Sequence, residues 1–168
     1  MSSPLTATDL VARLGVSRET GDRLAAYVAL LATWQKRINL VGPSTMADPW
    51  RRHILDSAQL MPHIAAGSSV VDLGSGAGFP GLVLAILGDF DVHLIESDQR
   101  KAVFLREAAR VTGAAVTVHA RRLETVTDLT ADVITARALA PLDKLLAWAL
   151  PFTGDHSFCL FLKGQSSQ

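Results

Sequence analysis

The sequence predicts an α/β fold: a mostly parallel sheet with helices on both faces, preceded by an N-terminal helical extension. Three observations predict it. From Ser69 onward, short runs rich in Val, Ile and Leu alternate with helical patterns, and that alternation closes a parallel sheet through right-handed crossovers. Val70-Val71-Asp72-Leu73 leads into Gly74-Ser75-Gly76-Ala77-Gly78-Phe79-Pro80-Gly81 and then Leu82-Val83-Leu84, which reads as strand, glycine turn and helix start. Residues 1–65 instead carry apolar side chains at three- and four-residue spacing, the period of an amphipathic helix. A chain of 168 residues is long enough to bury one real core. The expected division is 1–65 as the helical extension packed on the core, and 66–168 as the sheet domain.

Taken in order, Thr6 or Thr8 caps a short helix that runs to Leu14 and ends at Gly15, and Ser17 caps the next. Leu24, Tyr27, Val28, Leu31, Trp34 and Ile38 form one stripe on that long helix, which Asn39-Leu40-Val41-Gly42-Pro43 ends. Asp48 or Pro49 opens a third helix with Trp50, Ile54, Leu55, Ala58 and Met61 on one side, and Pro62 and Gly67 mark its far end. Strands are expected at 70–73, 92–96, 116–118, 131–136 and 157–162. Helices are expected at 79–87, 98–112 and 141–150. Ligands of such sheets bind beyond the carboxyl ends of the strands, where strand order reverses. Asp72, Gly74, Glu96, Glu124 and Arg137 all fall at or just past such ends.

The glycine turn admits two ligand classes. Gly74, Gly76 and Gly78 can take positive φ and allow close approach to the backbone, and free N–H groups with a helix dipole are expected to face the ligand. Gly76-x-Gly78-x-x-Gly81 with Glu96 twenty residues after Gly76 fits the dinucleotide fingerprint. Asp72, two places before the first glycine, argues the other way. An Asp-x-Gly-x-Gly-x-Gly run marks S-adenosylmethionine-dependent methyltransferases. An acid there can meet the cationic amino-acid end of that donor, directly or through water, and would crowd a diphosphate. Glu96, ending the second strand, can accept hydrogen bonds from both hydroxyls of a ribose. Leu123 and Glu124, after the third strand, can line an adenine. Arg137, ending the fourth, can hold a carboxylate, a phosphate or a guanine edge bidentately.

Composition narrows the classes further. Sixteen Lys and Arg balance sixteen Asp and Glu, so nucleic-acid binding has to rest on local patches and not on bulk charge. Arg51, Arg52, His53, Arg122 and Lys163 are the candidates. The five histidines are scattered, so no metal is expected. The single cysteine, Cys159, excludes an internal disulfide and reads as a core residue. The N-terminus lacks a basic-then-apolar signal, no apolar run approaches membrane-spanning length, and the expected compartment is the cytoplasm.

Beyond the glycine turn, Asn39-Leu40, Arg52-His53-Ile54-Leu55-Asp56-Ser57, Phe79-Pro80-Gly81, Lys101-Ala102-Val103-Phe104-Leu105, Arg122-Leu123-Glu124, Arg137-Ala138 and Leu162-Lys163-Gly164 occur in one order along the chain. In these strings the sequence resembles the RsmG (GidB) methyltransferases, which methylate N7 of a guanine in the 530 loop of bacterial 16S ribosomal RNA. The resemblance implies a Rossmann-like class I methyltransferase fold over 66–168, with S-adenosyl-L-methionine as cofactor. It implies a cofactor site of Gly74, Phe79, Leu123, Glu124 and Arg137, joined by Asp72, Gly76, Gly78 and, by class analogy, Glu96 on the ribose. The implied partner is 16S rRNA or the small ribosomal subunit. No membrane and no metal are expected, and the sequence does not fix the oligomeric state, for which a monomer is the expectation. No residue is assigned as a catalytic acid or base, because guanine N7 already presents a lone pair. The family continues past Leu-Lys-Gly with a helix and two strands, so these are expected to be missing here, leaving the fifth strand as an edge with Phe158, Leu160 and Leu162 short of cover. The neutral charge also suits a methyltransferase of this fold acting on a small molecule or protein. The shortened end suits a nonenzymatic module that binds the donor.

Overall fold

The computed structural model describes residues 2–137 and 140–163. Ala138 and Gly164, two of the residues matched above, lie outside that range. Helix α1 (Ala7–Leu14) is capped by Thr6, whose hydroxyl and backbone N–H are answered reciprocally by Asp9, and ends at Gly15 with φ 63°. Ser17 caps α2 (Arg18–Gln35). The predicted stripe on α2 is the buried one: Leu24, Tyr27 and Leu31 are fully enclosed.

The third expected helix is broken into pieces. Pro43–Ala47 is a 3-10 segment, Trp50–Leu55 a π-helical turn, α3 (Asp56–Ala58) a single α-turn and Met61–His63 another 3-10 turn. The Asp56 N–H reaches back to the Arg51 carbonyl, a five-residue step that widens the turn and re-aims side chains. Apolar spacing of 3.6 could not reveal it.

The five strands are β1 (Ser69–Leu73), β2 (Asp91–Ile95), β3 (Val116–His119), β4 (Ala131–Arg137) and β5 (Thr153–Leu162). They form one parallel sheet in the order β3-β2-β1-β4-β5. The remaining helices are α4 (Gly81–Leu87), α5 (Gln99–Thr112) and α6 (Leu142–Ala149). Alternation along β1 splits the core. Val70 joins the larger cluster, with Leu24, Tyr27, Leu31, Ile54, Leu82 and Phe104. Val71 and Leu73 join the smaller one, with Ile95, Ile134, Leu145 and Phe152. Side chains of the N-terminal helices and of the sheet therefore share one apolar cluster.

Strand β5 is the sheet edge, as expected, but it starts four residues early. Its pairing jumps from Ala131↔Thr153 to Val133↔Phe158. The Ser157 hydroxyl holds the looped-out segment, accepting from the Gly154 N–H and donating to the Ala131 carbonyl. Phe158 is 42% exposed, while Leu160 and Leu162 are half-buried against the larger cluster. Cys159 is half-buried and packs against the smaller core cluster, at its margin and not enclosed within it.

Candidate functional site

Strand order reverses at β1, between β2 and β4, and the glycine turn leaves β1 there. Gly74, Gly76 and Gly78 have φ of 60°, 54° and 94°, as their spacing predicts. Two cavities flank the turn and share Gly74 and Gly76 as lining residues. One, of about 350 Å³, is lined by Phe79, Arg137, His53, Thr45 and Leu40–Gly42. The other, of about 420 Å³, is lined by Glu96, Leu123, Glu124, Arg122, Lys101 and Trp148, among others.

The turn is held by its own hydrogen bonds. The N–H groups of Ser75, Gly76 and Gly78 donate to the Ile95 carbonyl, Glu96 Oε1 and the Ser75 carbonyl, at 2.9, 3.1 and 2.7 Å. The expectation of a turn full of free donors is thus corrected. Three are committed, and a carboxylate stands at Gly76. This arrangement suits a diphosphate poorly, since a diphosphate needs free N–H groups and no adjacent anion. It suits a neutral diol. Glu96, 8% exposed, is steadied by the Gly76 N–H and by the Asp98 N–H at 3.3 Å, and each carboxylate oxygen keeps a second lone pair. Ile95, Leu123 and Trp148 add apolar walls.

Two expected site residues, Asp72 and Gly78, reach neither cavity, and a third, His53, lines one of them from a buried position. Asp72 shares the Val70 face of β1 and lies behind the turn, wholly buried. One of its oxygens accepts from the Thr135 hydroxyl at 2.8 Å; the other has no hydrogen-bond partner among the described residues. Burial raises its pKa to about 6, against the opposing effect of the Thr135 hydroxyl. Direct contact between Asp72 and a ligand's cationic end is therefore not set up. Gly78 faces inward: a Cβ there would stand 2.4 Å from the Tyr27 hydroxyl and 2.9 Å from Leu82 Cβ. A Cβ on Gly76, in contrast, would meet only the Gly74 carbonyl oxygen, at an ordinary 3.9 Å. His53 is 1% exposed and cannot serve as a surface cation. It stacks on Phe79 at 4.8 Å between centroids and 13° between planes, and burial, helped by Arg137 and Arg52, lowers its pKa to about 3.

The His53 tautomer follows from its neighbour. The Thr45 hydroxyl has one proton, donated to the Gly42 carbonyl at 2.6 Å. Towards His53 Nε2, 2.8 Å away, that oxygen must accept. The ring proton is therefore on Nε2, and Nδ1 is a buried acceptor without a partner among the described residues.

Arg137 is placed where the sequence suggests. Its guanidinium lies 5.6 Å from the Phe79 centroid and, among the described residues, donates once, to the Arg52 carbonyl at 2.9 Å; a guanidinium has five N–H donors. Of the basic candidates, Arg52, Arg122 and Lys163 are exposed. Arg51 is instead tied to Asp48 at 2.9 Å and to the Ser3 carbonyl. Sequence reasoning missed Thr45 and Trp148 as lining residues. It also read Tyr27 as core alone, because nothing in an apolar stripe marks where a hydroxyl ends. Among the described residues, no group of three or more His, Cys, Asp or Glu could hold a metal, and no helix is long and apolar enough to cross a membrane.

The chain is similar to known proteins along most of its length. The model of the GidB family, rRNA small subunit methyltransferase G, matches residues 21–168. A relative named ribosomal RNA small subunit methyltransferase G, from Paramagnetospirillum magneticum, is 60% identical over 161 residues, spanning 95% of this chain and 78% of that one. A protein of the same name from Rhodospirillum rubrum is 55% identical over 163 residues, 96% of this chain and 81% of that one. Among solved structures, coclaurine N-methyltransferase bound to N-methylheliamine and SAH superposes with TM-score 0.59 at 16% identity, over 92% of this chain and 55% of that one. Ribosomal protein L11 methylase from Lactobacillus delbrueckii gives 0.56 at 20% identity, over 64% and 56%. These last two are likenesses of fold.

Proposed function

The chain belongs to the GidB family of rRNA small subunit methyltransferases G, and we propose that it moves a methyl group from S-adenosylmethionine to N7 of a guanine in the 530 loop of 16S rRNA. The observation that carries the reading is the pair of cavities meeting at Gly74 and Gly76, with Glu96 in one and Arg137 in the other. The donor's two polar ends differ in just this way, a ribose diol and an amino-acid carboxylate. When bound, the donor supplies an electrophilic methyl on a sulfonium.

The residues of the chain then have these roles. Glu96 accepts from the ribose hydroxyls, while Leu123 and Glu124 face the adenine. Arg137 holds the carboxylate. Gly74 and Gly76 let the donor lie against the backbone, and Phe79 walls the carboxylate side. Asp72 and Gly78 support the turn from behind instead of touching the ligand. No acid or base is needed, because guanine N7 has a lone pair and no proton. Alignment and exclusion of water can supply roughly 7–11 kcal/mol in favourable systems. Arg52, Arg122 and Lys163 are the exposed cations for RNA phosphates, and the acceptor base is reached from a loop or by extrusion. The proposed arrangement has residues 1–65 as a helical extension packed on the 66–168 methyltransferase domain, acting as a monomer in the cytoplasm.

Two measurements test this. Calorimetry should find binding of S-adenosylmethionine and none of NAD; the reverse result would end the reading. N7-methylguanine should then map to the 530 loop of 16S RNA, free or in small subunits, only when the protein and donor are both present. Donor binding with methyl transfer to a metabolite or protein alone would keep the cofactor and replace the substrate.

A further inference from the structure

The Ala77–Gly78 peptide is pinned at both poles. Its N–H donates to the Ser75 carbonyl at 2.7 Å. Its carbonyl accepts from the phenol of Tyr27, a residue fifty positions earlier on α2. Tyr27 is fully buried, and its ring lies 5.2 Å from Phe79 and 6.4 Å from Phe104, centroid to centroid. Burial pushes its pKa well above the ordinary phenol value, so the hydroxyl is a permanent donor. The third glycine of the turn belongs to the same contact. A Cβ on Gly78 would stand 2.4 Å from the Tyr27 oxygen, so the glycine there makes room for the phenol and not for a ligand.

We infer that Tyr27 is a positioning residue for the methyl donor: through the Ala77 carbonyl, the N-terminal helix α2 fixes the glycine turn in its donor-receiving shape. The inference rests on the cofactor site proposed above. Physically, freeing the Ala77 carbonyl releases a peptide plane between Gly76 and Phe79, two residues with side or backbone atoms on the cavities. Glycine-rich backbone has many alternative conformations once unpinned, and the donor would have to select one of them, which weakens its apparent affinity.

The test is Tyr27→Phe, with two readouts. Donor Kd by calorimetry should rise about tenfold, whereas kcat at saturating donor should stay within about twofold, because chemistry follows binding. A Kd within twofold of wild type in a folded Tyr27→Phe protein overturns the inference and reduces Tyr27 to a structural residue. The sequence contains one tyrosine, so protein grown on 3-fluorotyrosine carries a single fluorine label at this contact. Its resonance should shift when S-adenosylmethionine is added. A resonance unmoved by saturating donor overturns the inference even if the Phe variant does not fold. Failure of the wild-type protein to bind the donor at all would instead overturn the cofactor site, and this inference with it.

Discussion

Glu96, Asp72 and His53 surround one turn, and each side chain has a different environment. Glu96 faces a cavity and is held by two backbone N–H groups. Glu96→Gln keeps the shape, replaces a charged acceptor with a neutral amide, and should weaken donor binding by about tenfold in calorimetry, the scale of one charge-assisted hydrogen bond. Asp72 faces no cavity, and its pKa of about 6 lies above the ordinary 3.8. A group protonated more readily when folded stabilises less as pH rises. Its charged form therefore costs stability on going from pH 4 to above pH 6, by about 3 kcal/mol on a simple linkage account. Asp72→Asn should melt higher than wild type at pH 8, with the advantage shrinking to nothing near pH 4. An equal shift at both pH values would contradict the assignment. His53 runs the other way. Its folded pKa of about 3 lies below the ordinary 6.5, so its contribution is complete above pH 6.5 and is lost as pH falls towards 3. Imidazole nitrogen resonances should show His53 neutral, with its proton on Nε2, at pH 5.

At the scale of elements, the turn between β1 and α4 separates two uses of glycine. Gly76 has positive φ and room for a Cβ at 3.9 Å from the Gly74 carbonyl oxygen, whereas a Cβ on Gly81 would stand 2.5 Å from Leu94 Cδ2 and 2.7 Å from Asp72 Cβ. Gly76→Ala should cost about 1 kcal/mol of stability from strain and lower donor affinity sharply by filling the space over the turn. Gly81→Ala should instead destabilise by about 1–3 kcal/mol through overpacking. Denaturant melts paired with donor titrations distinguish the two. The strand-to-turn run was legible because its φ requirements are local. The π-helical turn at Trp50–Leu55 was not, since it arises where Arg137 reaches over to the Arg52 carbonyl and His53 is pressed onto Phe79.

At the scale of the molecule, charge and sheet edge are what a partner meets. Zero net charge leaves RNA attraction to a few exposed cations. Arg122→Ala should weaken binding to 16S RNA about uniformly across sequences and lower the slope of log affinity against log salt by about one phosphate contact. An unchanged slope would remove Arg122 from the RNA surface. Exposed Leu142, Leu146 and Leu150 recur along one side of α6 and its end, with Phe158 on the edge strand. Beside this apolar stripe, the charged and polar face expected of a surface helix is reduced on α6 to the exposed Asp143 and Lys144 of its first turn.

The sequence by itself determined the strand order's raw material, the glycine turn, and the placing of Glu96 and Arg137 at strand ends, because each depends on periodicity or on backbone freedom within a few neighbours. Tertiary structure alone decided which of the turn's residues face a ligand. Whether Asp72 and Gly78 point to a cavity or to Thr135 and Tyr27 is settled by residues fifty and more positions away, and pattern along the chain carries no information about contacts at that distance.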